Sequence, residues 1–307
     1  MRYVFIVNPA AGKTNPYQTV LPLFQDYFRQ QGIEYMCHVT AQPRQATELT
    51  RQHGDKGDAV RIFAFGGDGT LSEVAAGAVG LENVEVGVVP CGSGNDYVKT
   101  YGQMEEFLSP ARQLNAKSQW VDMIESDGNL SINMCSMGLD AKVAYEMMKF
   151  KNVPFVSGPA AYNLALVKVL LGKMGENLKV TIDGDQIFEG TYLFALAGSG
   201  RYYGGGYCGA PQALPNDGLL DFLLVKKPPL YRIPALVQVY KAGRHLESPL
   251  FRELVTFRRG KSMRVDARKP IAANFDGDCC FVDSVAFQVL AKTVRFLIPE
   301  GIQNNCK

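Results

Sequence analysis

Four short apolar runs, Tyr3–Val7, Ile33–Thr40, Val60–Phe65 and Val84–Val89, alternate with segments of helical character near the start of the chain. This alternation constrains the fold more than any other feature. Strands joined by helices form a parallel sheet, and such a sheet binds ligands beyond the carboxyl ends of its strands. The first helix is expected to open at Asn15-Pro16, an N-cap with proline behind it. Its apolar stripe is Tyr17, Val20, Leu21, Phe24, Tyr27 and Phe28, and Gly32 stops it. Arg44–His53 and Leu71–Val79 read as the next two helices.

Each strand end then becomes a place to look for chemistry. Behind Val60–Phe65 stands Gly66-Gly67-Asp68-Gly69-Thr70. Two glycines allow the backbone to come close to a phosphate, and a helix beginning near Thr70 favours negative charge at its N-terminus. Asp68 would repel a bare phosphate, so a cation is expected between them. Behind Val84–Val89 stands a second glycine-rich loop, Pro90-Cys91-Gly92-Ser93-Gly94-Asn95-Asp96. Behind Tyr3–Val7 stands Asn8-Pro9-Ala10-Ala11-Gly12-Lys13-Thr14. It is not a true P-loop, because Val7 stands where that motif needs glycine and Pro9 lacks an N–H. A nucleotide-lining loop and a simple turn into the Asn15 cap both remain open for it.

From about Val121 the pattern changes to strands: Leu130–Cys135, Leu178–Asp183, Thr191–Ala197, Leu219–Val225, Ser262–Val265 and Val285–Val289. Helical interruptions are expected at Ala141–Lys149, Ala160–Leu171 and Leu230–Ala242. The 307 residues, 47% of them hydrophobic, suffice for two packed domains. The boundary is placed at Asp122: an α/β domain over 1–122 and a mainly β domain over 123–292.

Within the second region Gly198-Ser199-Gly200 and Gly204-Gly205-Gly206 have the wrong spacing for a dinucleotide fingerprint and read as close-approach turns. Asn216-Asp217-Gly218 reads as a turn, with a cation site as the other option. Asn274-Phe275-Asp276-Gly277-Asp278 places two acids two residues apart, on one face if the strand is regular. They form either a hairpin turn or a general base beside a metal-linked acid. The basic run Arg258, Arg259, Lys261, Arg264, Arg268 and Lys269 reads as a solvated surface or a contact with an anionic membrane.

Bulk properties exclude several classes. A net charge of +2 gives no reason to expect nucleic-acid binding. Seven scattered cysteines and three separated histidines form no metal-ligand spacing, which suggests reduced thiols in the cytoplasm. The start of the chain has no signal-peptide layout. The longest apolar candidate, Pro159–Leu171, is shorter than the ~18–20 residues of a membrane span and contains Asn163 and Lys168.

Taken in order, Asn-Pro-x-x-Gly at Asn8–Gly12, Gly-Gly-Asp-Gly-Thr at Gly66–Thr70, the Pro90–Asp96 loop, Asp217-Gly218 and Asp276–Asp278 resemble the diacylglycerol kinase catalytic-domain family. The family includes bacterial lipid kinases and the sphingosine and ceramide kinases. The resemblance implies a nucleotide-binding α/β domain with a parallel sheet, as in NAD kinase and diacylglycerol kinase. It also implies a β-sandwich domain, an active site between the two, and a chain end, 293–307, that returns to the first.

The implied reaction is Mg²⁺-dependent transfer of the ATP γ-phosphoryl group to a lipid hydroxyl, most simply diacylglycerol to phosphatidic acid. Asn8, Pro9, Gly12 and Thr40 would line the nucleotide. Gly66, Gly67, Asp68, Gly69, Thr70, Leu71, Ser72 and Glu73, with Ser93, Asn95 and Asp96, would surround its phosphates. Asp68 would act through Mg²⁺ and water. Asp217, with the carbonyls of Leu214 and Leu219, would match a structural Mg²⁺ site. Asp276 or Asp278 would accept the proton; the assignment taken here is Asp276, with Mg²⁺ held through Asp68 and Asp278. Two departures stand out: Ser93 where threonine is frequent, and Asp278 where glutamate is frequent. The implied partner is a lipid at a membrane surface, with the protein cytoplasmic and peripheral to the inner face; a homodimer is admitted. The alternatives are a kinase for a soluble substrate such as NAD or a sugar phosphate, and a silent nucleotide-sensing module.

Overall fold

A computed structural model of the chain describes residues 1–12, 15–150, 158–170, 172 and 174–302. Lys13 and Thr14 of the first loop, Leu171 at the end of an expected helix, and Cys306 lie outside the described residues. The chain divides into two compact units, residues 1–123 with 291–307, and residues 124–290.

The first unit opens with β1 (Arg2–Val7), α1 (Pro16–Thr19) and α2 (Leu21–Gln30). Asn15 caps α1 as expected, its Oδ1 accepting from the Tyr17 N–H. The single expected helix is split at Val20, because Pro22 in the first turn of α2 has no N–H to continue the ladder. Next come β2 (Met36–Val39), α3 (Gln45–Gly54), β3 (Val60–Gly66), α4 (Asp68–Ala78) and β4 (Val84–Pro90). β2 is shorter than its apolar run and mostly exposed, as an edge strand is. β2, β1, β3 and β4 lie side by side in that order, all parallel. Phe5, Phe24, Phe28, Phe63 and Phe65 are fully buried and pack with one another, largely edge to face, between α2 and the sheet. Short helices α5 (Met104–Phe107) and α6 (Pro110–Leu114) follow.

β5 (Lys117–Ser126) carries the chain into the second unit. There stand β6 (Asn129–Ser131), β7 (Met134–Gly138), α7 (Leu139–Phe150), α8 (Gly158–Leu170), β8 (Glu176–Ile182) and β9 (Gln186–Gly198). The hairpin β10 (Tyr202–Tyr203) and β11 (Tyr207–Cys208), then β12 (Leu220–Lys226), α9 (Ile233–Lys241) and β13 (Val255–Gly260), come next. β14 (Ser262–Phe275) and β15 (Asp278–Ile298) close the unit. β13, β12, β9, β7, β14 and β15 are neighbours in that order, and these pairings are antiparallel. β8 bridges β9 and β14. β14 and β15 run much longer than the apolar segments that signal them, because their outer halves are polar and cross-strand pairing sustains them. The end of β15 pairs in parallel with β4, Arg295 beside Glu85 and Phe296 beside Val86.

Candidate active site

The loops after β1, β3 and β4 meet at the carboxyl edge of the parallel sheet in the first unit. Gly12 has φ +71°, and a Cβ there would lie 2.1 Å from the Cys91 carbonyl oxygen. A Cβ on Gly92 would lie 2.4 Å from the Gly67 Cα. Only glycine permits these approaches. The Cys91 N–H donates to the Gly66 carbonyl at 2.8 Å, so the loops after β3 and β4 are joined through their backbones.

Side chains complete the junction. The Asp68 Oδ1 accepts from the N–H groups of Asp96 and Tyr97 at 2.7 and 3.0 Å. The Asn8 Nδ2 donates to the Thr70 hydroxyl at 3.1 Å, and its Oδ1 accepts from the Ala10 N–H at 3.0 Å. Asn95, at φ +48°, closes its own turn by exchanging hydrogen bonds with the Gly92 backbone, each 2.9 Å. Lys99 donates to Asp96 and to the Gly94 carbonyl, balancing the buried acid. Thr40, at the end of β2, donates through its N–H to the Val7 carbonyl at 2.9 Å.

The helix after the second glycine begins at Asp68, two residues before the expected start, with Gly67 as an N-cap that no side chain satisfies. Gly69 is exposed and has open space beside it. Uncapped amides, a helix dipole and room above them suit a phosphate chain. The exposed Ser93 hydroxyl also lies on this loop surface. The rest of the Gly66–Glu73 run turns away. Leu71 is fully buried, Ser72 nearly so, and the Glu73 Oε2 accepts from the Ala46 N–H at the start of α3 at 3.3 Å. These three build the helix seat rather than the loop surface.

In the second unit the two late acids do not share a face. Asp276 has φ +48° in the tight turn between β14 and β15, and strand alternation ends there. Its carboxylate accepts from the N–H groups of Ile132 (2.6 Å), Asn133 (3.2 Å) and Met134 (2.7 Å). Asp278 is exposed, and its carboxylate has no hydrogen-bond or ion-pair partner among the described residues. The tied acid is a structural clamp, and the untied one has oxygens available for chemistry.

The Leu214, Asp217, Leu219 set does not fit a metal as it stands. Asp217 Oδ1 accepts from the Leu219 N–H at 3.0 Å, and its Oδ2 pairs with the Arg259 guanidinium. The Leu214 carbonyl accepts from the Asn216 N–H at 2.8 Å. Arg259 also donates to Asp221 at 2.9 Å, directly across the β12–β13 ladder. Burial raises the Asp221 carboxyl to about 6 even beside this arginine. A guanidinium thus stands in the cation's place. Half of the basic run is thus paired with carboxylates: besides Arg259, Arg264 meets Asp266 and Lys269 meets Glu176, while Arg258 lies over the Phe188 ring.

Arg259, Asp122 and Asp140 have roles that no local sequence pattern assigns. Arg259 looked like surface charge. Asp122 is fully buried and accepts from the Lys292 N–H, and an acid inside Trp120–Ile124 was the available signal. Asp140, buried and raised to about 6 by desolvation, bonds the Ser136 hydroxyl at 2.8 Å and gave no sequence signal.

The chain matches the diacylglycerol kinase catalytic domain over residues 2–126 and the YegS C-terminal NAD kinase beta sandwich-like domain over residues 133–298. It is 26% identical to a diacylglycerol kinase of Bacillus subtilis, over 89% of this chain and 88% of that one. A protein of Alcanivorax borkumensis assigned as a YegS-like lipid kinase is 27% identical, over 94% and 95%. A crystal structure assigned to a diacylglycerol kinase of Bacillus anthracis superposes with a TM-score of 0.77 at 21% identity, covering 98% of both chains. An NAD kinase of Archaeoglobus fulgidus in complex with ATP shares the fold at 0.54 and 12% identity, covering 98% and 94%. With both halves matched, this chain belongs to the diacylglycerol kinase and YegS-like family of lipid kinases.

Proposed function

We propose that the protein transfers the γ-phosphoryl group of ATP to a lipid hydroxyl, converting diacylglycerol to phosphatidic acid. The observation that carries the reading is the glycine junction of the first unit, where Gly12, Gly67 and Gly92 let three loops close on one another beneath an uncapped helix N-terminus. Amides aimed at a phosphate chain stabilise charge without rearranging during reaction. Mg²⁺, when bound, would offset charge on the β- and γ-phosphates. Asp68, beside the junction, fits a role through the water shell of that ion.

Asp278 is the residue we assign as proton acceptor. It would take the hydroxyl proton as the new O–P bond forms and the bond from the γ-phosphorus to the bridging oxygen breaks, leaving ADP. Asp276 holds the turn on which Asp278 stands. The test is purified protein with Mg-ATP and diacylglycerol in mixed micelles. Phosphatidic acid at a rate well above that of Asp278→Asn supports the reading. Equal rates, or phosphorylation of NAD in place of any lipid, would overturn it.

A further inference from the structure

The turn after β12 exposes apolar side chains that the fold has no need to expose. Lys226 ends the strand, Lys227 and Pro228-Pro229 follow it, and Leu230–Arg232 form a single 3₁₀ turn before α9. α9 sends Ile233, Leu236 and Tyr240 into the core. Leu230 and Tyr231 remain outside, 64% and 84% exposed. The Arg232 guanidinium donates to the Leu250 carbonyl at 2.9 Å, which fixes a second 3₁₀ turn, Pro249–Phe251, beside the first. Leu250 there is 41% exposed. Scattered exposed apolar residues are ordinary, but here two adjacent turns present three of them together.

Around these side chains stand cations that the fold leaves uncommitted. Lys226, Lys227 and Arg252 are exposed, and none of them, nor Arg232, meets a carboxylate among the described residues. In the longer basic run of β13 and β14, by contrast, Arg259, Arg264 and Lys269 each meet a carboxylate. An apolar tip with Lys226, Lys227 and Arg252 next to it in the chain, none of them met by a carboxylate among the described residues, is complementary to an interface with apolar depth and negative headgroups. Tyrosine suits that boundary, with a ring that enters and a hydroxyl that stays wet. Each signal alone binds a membrane weakly, and an apolar anchor and neighbouring cations add to one another.

We infer that the Lys226–Arg232 turn, with Leu250, is the surface on which this protein docks to an anionic phospholipid bilayer. This rests on the reading that the substrate is a lipid. The experiment uses the full chain and sedimentation with vesicles of phosphatidylcholine, alone or mixed with phosphatidylglycerol. The wild type should bind the mixed vesicles and release them as salt rises. Leu230→Ser/Tyr231→Ser and Lys226→Glu/Lys227→Glu should each weaken binding, about fivefold for each cation removed and more for the charge reversal. Both variants should phosphorylate a short-chain, water-soluble diacylglycerol at the wild-type rate, which shows that the fold is intact. Arg264→Glu, on the longer basic run and paired with Asp266, should bind as the wild type does.

Vesicle binding unchanged in both variants would overturn the inference. So would a loss that appears as a changed oligomeric state in light scattering, which would assign the turn to contacts between protein copies. Turn-dependent vesicle binding without any lipid phosphorylation would leave the surface standing and remove the proposed function.

Discussion

Gly67 and Gly92 lie backbone against backbone, so that a Cβ on Gly92 would stand 2.4 Å from the Gly67 Cα. The two residues belong to loops that follow different strands, and the contact sets how close those loops lie. Gly92→Ala is therefore expected to part them. Overpacking of this kind costs roughly 1–3 kcal/mol, and nucleotide affinity should fall at least about tenfold as the amides lose their alignment. Gly69→Ala meets open space and should leave thermal stability unchanged. Titration with a fluorescent ATP analogue, alongside thermal melts, checks both.

The pair Asp276 and Asp278 should separate stability from turnover. Asp276→Ala removes the acceptor of three backbone N–H groups, and each unsatisfied donor costs on the order of 1–3 kcal/mol. A clear drop in Tm is expected. Asp278→Asn should keep its Tm and lose about 10²–10⁴-fold in kcat, the usual contribution of a general base. If Asp276→Asn melts like the wild type while abolishing turnover, the roles are reversed.

Arg259 should make the second unit's stability independent of divalent cations. Chelation by EDTA is expected to leave its melting unchanged. Arg259→Gln leaves Asp221, only 2% exposed, without its partner, and loss of one member of such a pair costs roughly 3–5 kcal/mol. A melt stabilised by added Mg²⁺ in the wild type would refute this.

His38 and His53 face each other with Nε2 atoms 2.9 Å apart, between β2 and α3. One ring must donate and the other accept, so both cannot be protonated. Burial, then the charges of His38, Lys56 and Arg2, lower His53 to about 4. Its folded pKa thus lies below the unfolded value, and the unfolded chain binds the proton more readily. Stability of the first unit should fall as pH drops from about 6.5 towards 4, by up to roughly 3 kcal/mol at 1.36 kcal/mol per unit. His53→Gln should flatten this slope in chemical denaturation series at several pH values.

Much of the first unit was legible in the sequence, because buried parallel strands are continuous apolar runs and each glycine loop follows one directly. The late acids were legible as a motif but not as roles. Of the two options the hairpin turn holds and the shared face does not, because the positive φ of Asp276 turns it towards amides of another strand. Arg259 was misread because its partners lie 42 and 38 positions away, across a ladder that no local pattern encodes.

The sequence alone determined the alternating α/β half, the strand-rich half, and the loops that place the chain in its family, since these rest on local periodicity and on short motifs of contiguous residues. Tertiary structure decided which members of those motifs face outwards. A carboxylate is reactive or structural according to the donors around it, and those donors are supplied by strands far away in the chain. The same holds for Leu230 and Tyr231. In sequence they continue the apolar pattern of a helix, and only the packing of Ile233, Leu236 and Tyr240 into the core leaves them outside.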